Sequence, residues 1–125
     1  MTKQEFEVIK NDLTITKIAI QAWAVHVRFG VKPFSGIDQV VAAAVILDSY
    51  GEAITVSGLH KALDWQDDEV NCIRECLRVA VSQKGYLCRV SGEERYVVDQ
   101  VAVLYRLHEL GIEPFGKLLP IGESA

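Results

Sequence analysis

Between Ile54 and Asp99 the chain sets two short amphipathic segments close together, then a glycine, then two β-favouring runs. Thr55 stands in an N-cap position, and Val56, Leu59 and Leu63 repeat behind it at helical spacing. Asp64 to Glu69 carries only Trp65 as an apolar residue and reads as a turn. Asp67 or Asp68 is expected to cap the next helix, whose positive end the acidic cluster also suits. The cluster is expected to turn towards that helix's own amides. Val70, Ile73, Leu77 and Val81 then recur three or four apart, so one face is apolar, and Gly85 is placed to stop the helix in a left-handed conformation. Tyr86 to Val90 and Arg95 to Val98 favour strands, and Ser91-Gly92-Glu93-Glu94 between them makes a short polar tip.

Helix, turn, helix and two-stranded wing is the form of a winged helix-turn-helix. The expected fold is mainly α with a small β-hairpin wing (α+β), flanked by N- and C-terminal helices that dimerise. The 125 residues suffice for one core, so the chain reads as a single domain. Residues 1–34 form the N-terminal helix and connector, 35–98 the winged motif, and 99–125 the C-terminal helix and tail.

The flanks are read from the same periodicity. Thr2 with Glu5 forms a capping-box pattern from which a long helix is expected to run to Gly30. Phe6, Ile9, Leu13, Thr16, Ile20, Trp23 and Val27 make one stripe; Val8, Ile15, Ile18, Ala22, Val25 and Phe29 make a second beside it. So wide an apolar arc asks for cover on two sides, one of them supplied by a second subunit. A rival reading makes Leu13 to Ile20 a strand, because LTITKIAI alternates and is β-branched. Ser35 or Asp38 opens a further helix that ends near Tyr50-Gly51, its alanine run allowing close approach of a neighbour. Asp99 is expected to cap a last helix with Val101, Leu104, Tyr105, Leu107 and His108 before Gly111, and Leu118, Leu119 and Ile121 make an apolar tail suited to docking.

Charge and composition narrow the function classes. The N-terminus has no signal-peptide pattern and no apolar run approaches membrane-spanning length, so a soluble, cytoplasmic protein without membrane partners is expected. Three cysteines do not make a closed disulfide framework. The net charge of −4 argues against a general nucleic-acid coating protein. From Thr55 to Val98, Lys61, Arg74, Arg78, Lys84, Arg89 and Arg95 face seven carboxylates, so duplex binding would need the cations gathered on one surface.

On a helical wheel the second motif helix turns Asp68, Asn71, Cys72, Glu75, Arg78 and Ser82 outward, with Arg74 on the flank. Asn, Glu and Arg pair naturally with base edges in the major groove. Arg78 is the leading base-reading candidate, followed by Asn71 and Glu75, with Arg74, Ser82 and Lys61 as supporting DNA contacts and Arg95 reaching from the wing. The simpler alternative is a solvated face holding a Glu75–Arg78 pair, with Arg95 bridged to Glu93. Cys72 lies on the outward arc, where thiol oxidation would disturb such contacts, so it is the candidate redox residue. Cys72, Cys76, Cys88 and His60 lack zinc-ligand spacing, and no metal or other cofactor is expected. The histidines, His26, His60 and His108, are scattered, and no phosphate loop, GxSxG or HExxH pattern occurs, so no enzyme is expected.

Over nearly its whole length the order of elements resembles the multiple-antibiotic-resistance regulator (MarR-like) family. The resemblance rests on FSGIDQVVAAAVILDSYGEAITVSGLHKAL, with Gln39 where the family's helix carries a Gln, and on QKGYLCRVSGEERYVV, with Glu93-Glu94-Arg95 similar to an acidic-x-Arg wing motif. It implies a homodimer with interlocked terminal helices, bound to a palindromic site on double-stranded DNA and responsive to a small-molecule effector. The alternative is a winged helix serving only protein–protein contact, an adaptor or inhibitor of a regulator. The acidic balance and the Asp67-Asp68-Glu69 opening favour it.

Overall fold

The computed structural model describes residues 3–30, 34–90 and 92–109, with the backbone alone at 5, 6 and 9. The N-terminal helix expected in one piece is two: α1 (Lys3–Lys10) and α2 (Leu13–Phe29). The break is made by two side chains. Asn11 Nδ2 donates to the Glu7 carbonyl at 2.8 Å and closes α1, while the Asp12 carboxylate accepts from the Ile15 amide at 3.2 Å and opens α2. Each side chain thus satisfies a backbone group that a helix end leaves unpaired. The strand alternative for Leu13 to Ile20 is excluded, since that segment is helical. The Thr2 capping box lies outside the described residues.

Gly30 ends α2 as expected, donating its amide to the His26 carbonyl at 2.9 Å. A β-carbon there would stand 2.4 Å from that same oxygen, so the close approach itself demands glycine.

At the centre lies α3 (Gly36–Ser49), capped by Ser35, whose Oγ accepts from the Asp38 amide at 3.2 Å. Val40, Val41, Ala42, Ala43, Ala44, Val45 and Leu47 are all buried, because α3 is packed by α2 on one side and by later elements on the others. Small side chains at 42–44 let those neighbours come close on every side.

A short strand β1 (Ile54–Thr55) leads directly into α4 (Val56–Leu63), where Thr55 Oγ1 accepts from the Gly58 amide at 3.0 Å, the expected cap. Asp64 ends α4 with φ 55°, a left-handed conformation that Asp tolerates better than most residues. A single 3-10 turn, Asp67–Glu69, precedes α5 (Val70–Ser82). Neither Asp67 nor Asp68 caps it. The Gln66 amide instead donates to Glu69 Oε1 at 3.0 Å, so only Glu69 of the acidic cluster turns back to a nearby backbone amide, while Asp67 and Asp68 stay in solvent.

After α5 the chain passes Gly85, left-handed at φ 70° as expected, into β2 (Leu87–Arg89) and β3 (Arg95–Val98). The hairpin gains a third member: β1 pairs antiparallel with β3 (Ile54 opposite Tyr96), and β3 with β2 (Leu87 opposite Val98), giving the order β1-β3-β2. Last comes α6 (Gln100–Glu109), capped by Asp99, whose Oδ1 accepts from the Ala102 amide at 3.1 Å. The expected end at Gly111 and the apolar tail lie outside the described residues.

The core unites Ile20, Trp23 and Val27 of α2, the α3 stripe, Leu59 and Leu63, Ile73 and Leu77, Leu87, and Val103, Leu104 and Leu107. Two stripe assignments need correction. Leu13 is exposed, and α6 buries Val103, Leu104 and Leu107 while Val101 and Tyr105 face solvent. The architecture is mainly helical with one small antiparallel sheet, an α+β arrangement. Among the described residues no helix is long and apolar enough to cross a membrane.

Candidate nucleic-acid interface

The apolar side of α5 is fixed by Ile73, Leu77 and Ala80 against the core, with Val70 and Val81 partly covered. The opposite arc follows of necessity. Asp68, Asn71, Cys72, Arg74, Glu75, Arg78 and Ser82 are all exposed, as the wheel required. Beside this arc runs the β2–β3 hairpin, tied to α5 by Arg74, whose Nε donates to Glu94 Oε1 at 3.1 Å.

Every arginine of the candidate set already holds a carboxylate. Arg78 grips Glu75 with both prongs, Nε to Oε2 at 3.0 Å and Nη2 to Oε1. That contact lowers the Glu75 carboxyl below its ordinary range and raises Arg78 above its own. Arg95 Nε lies 3.2 Å from Glu93 Oε2, and Arg89 Nε donates to the Glu93 carbonyl at 2.9 Å. Each of these pairs is solvent-exposed, so each is a weak, exchangeable contact rather than a fixed one.

Ser82 spends its hydroxyl proton on the Arg78 carbonyl at 2.6 Å, which leaves only its oxygen lone pairs to offer. Asn71 is exposed on the arc. Lys61 is not gathered with the arginines: it borders a separate hollow of about 230 Å³ with Leu47, Glu52 and Gly58.

A larger hollow of about 440 Å³ opens where α4, α5 and the β2–β3 hairpin meet, bordered by Thr55, Val56, Ser57, His60, Val70, Arg74 and Glu94. His60 Nε2 is screened from solvent and finds no hydrogen bond among the described residues; the exposed Asp67 carboxylate stands 3.5 Å off. Nothing in the local sequence marks this hollow, because it is built by three elements that meet only in the fold.

The cysteines are all free, with Cys72 and Cys88 exposed and Cys76 half-buried. Burial, reinforced by the neighbouring Cys72 and Glu75, pushes the Cys76 thiol above its ordinary value. Among the described residues no group of three or more His, Cys, Asp or Glu side chains is assembled for a metal ion.

The supports of this surface were not visible in the sequence. Arg28 Nη1 donates to Gln39 Oε1 at 2.7 Å, and its Nη2 reaches the Ala62 and Leu63 carbonyls at 3.3 and 3.4 Å. A cation so placed satisfies the last carbonyls of α4 and suits that helix's negative end. Gln39 passes the link on, its Nε2 donating to the Val27 carbonyl at 3.1 Å. Thus α2, α3 and α4 are pinned at one point. Comparison with protein-family models, curated proteins and solved structures gives no match.

Proposed function

We propose that the chain is a dimeric, sequence-specific double-stranded DNA-binding regulator of winged helix-turn-helix form, similar to the MarR-like family. In this reading α4 and α5 are the motif, β2 and β3 the wing, and the outward arc of α5 enters the major groove. The observation that carries it is the joint exposure of Asn71, Arg74, Glu75 and Arg78 on one rigid helix beside the hairpin that bears Arg95. A helix with that arc exposed and its other side packed against the core suits base readout, which needs side chains presented on a fixed support. A two-fold partner, seated on the exposed apolar stripe of α2, would repeat the arc and ask for a palindromic site. A small-molecule effector would act by changing the spacing of the two arcs.

A second reading, a winged helix for protein–protein contact without DNA, is favoured by one observation: Arg74, Arg78 and Arg95 are each neutralised by a neighbouring carboxylate. The two part in a single experiment. Tagged chain is mixed with sheared genomic duplex at low salt, and the retained fragments are sequenced. The regulator reading expects retained fragments to share two half-sites about one helical turn, roughly 10 base pairs, apart. Retention of no duplex at any salt concentration would transfer the assignment to the protein-contact reading.

A further inference from the structure

The Arg74–Glu94 contact joins α5 directly to the β2–β3 hairpin, and it sits on the rim of the hollow bordered by Thr55, Ser57 and His60. Three features coincide there. Arg74 is half-exposed, with a guanidinium whose fork suits the two oxygens of a carboxylate or a phosphate equally. The anion it now holds belongs to the link between β2 and β3, and its carboxylate side chain is itself about half-exposed. Behind the pair lie the hydroxyl-bearing Thr55 and Ser57, with Val56, Val70 and His60 completing the lining, and the Nε2 of His60 stands 3.5 Å from the Asp67 carboxylate.

We infer that Glu94 is an internal stand-in for a DNA backbone phosphate, and that this hollow is the seat such a phosphate takes when it displaces Glu94 from Arg74. The inference rests on the DNA-binding reading and adds a restraint to it. The wing's carboxylate competes with nucleic acid, so non-specific duplex is held weakly and a site must offer base contacts to α5 before the exchange is favourable. The salt dependence follows. Each phosphate neutralised releases counterions from the duplex, but a freed Glu94 takes up a cation in return, which flattens the slope.

The test uses the full-length chain and a fluorescein-labelled, mixed-sequence duplex of about 30 base pairs, enough for two half-sites a helical turn apart. Anisotropy titrations are run across a range of potassium chloride concentrations. Four proteins are compared: native, Glu94→Gln, Arg74→Ala and the double variant. Both side chains are about half-exposed, so the fold is expected to survive each change. Glu94→Gln is expected to tighten binding about two- to fivefold per protomer, the worth of an exposed ion pair, and to steepen the slope towards one further ion per protomer. The decisive comparison is in the Arg74→Ala background, where the same Glu94→Gln change is expected to gain little. An equal gain with and without Arg74 would reduce Glu94 to a general negative charge and overturn the inference while leaving DNA binding intact. Absence of binding by all four proteins at low salt would remove the DNA reading and the inference with it.

Discussion

The guanidinium of Arg106 clamps the Asp38 carboxylate with two parallel bonds, Nε to Oδ1 at 3.2 Å and Nη2 to Oδ2 at 3.1 Å, across 68 positions of sequence. Asp38 is only 4% exposed and sits in the first turn of α3, where Ser35 Oγ also donates to it at 3.2 Å. The clamp therefore ties α6 to the start of the central helix. It raises Arg106 above its ordinary value, so the arginine's contribution is present in full at neutral pH and fades only in strong alkali. Removing one partner strands the other. Asp38→Ala is expected to lower stability by about 3 kcal/mol in urea unfolding, the low end for a buried pair because Arg106 keeps part of its side chain in water. Replacing both partners, Asp38→Leu with Arg106→Met, is expected to recover most of that loss. A single variant as stable as the native chain would show that α6 is held by Val103, Leu104 and Leu107 alone.

The three thiols should separate by accessibility. Cys72 and Cys88 are exposed and Cys76 is half-buried with its thiol pushed up by burial. Thiolate is the reacting form, so Cys76 should be alkylated last and only at a higher pH than an ordinary thiol requires. Timed iodoacetamide labelling read by mass spectrometry gives the order directly. Replacing all three cysteines by serine or alanine is expected to leave fold and oligomeric state unchanged. Early labelling of Cys76 would mean that α5 leaves its place beside Gly36, where a β-carbon would stand 3.5 Å from the Cys76 Sγ.

The exposed apolar stripe of α2 predicts self-association. Ile18, Val25 and Phe29 lie on one face, and Phe29 is 74% exposed, an expensive way to leave so large a side chain. Sedimentation at micromolar concentration is expected to give twice the 13.9 kDa chain mass. Phe29→Glu combined with Val25→Glu should return it to the single mass without loss of helix content. A native chain that sediments as a monomer at those concentrations would remove the dimer from the proposal.

Local pattern made some of this legible and concealed the rest. The α4 and α5 segments and their apolar faces follow from a period of 3.6 that runs unbroken within each element, and the β3 strand from its run of β-favouring residues. The break at Asn11-Asp12 does not, because the apolar stripes continue in phase across it, and the informative signal is the side-chain chemistry of those two residues as caps. In α6, Val101, Val103, Leu104, Tyr105 and Leu107 leave almost no polar side, so burial was decided by where α2 packs and not by the segment itself. β1 is two residues long, too short to carry a period. Arg78 and Glu75 are three apart on a helix and their pairing could be read off; Arg74 and Glu94 meet only because the hairpin folds back beside α5. Arg28 and Asp38 find partners at distances along the chain for which no local rule exists.

Arg78 and Arg95 should fail differently when truncated, and the difference tests the direction in which the arc faces DNA. Arg78 projects from the outward arc of α5, its guanidinium held by Glu75 one turn away. If it reaches a guanine edge, Arg78→Ala is expected to cost about 1–3 kcal/mol and to relax preference at one base pair per half-site. Arg95 lies on β3, opposite Thr55 of β1, and its partner Glu93 belongs to the same hairpin. In the DNA-binding reading it would meet the backbone or the adjacent minor groove, placed by the hairpin. Arg95→Ala should weaken all duplexes alike and reduce the salt slope by about one. Asp67 and Asp68, left in solvent at the start of α5, oppose entry of that helix by its N-terminal end, since they would face phosphates. Entry by the middle of the helix, around Asn71 to Arg78, keeps them outside the groove. Asp67→Asn with Asp68→Asn should then raise affinity without altering the preferred sequence. A changed sequence preference in that variant would show that the helix enters by its first turn, and the base-reading assignment would move from Arg78 to Asn71.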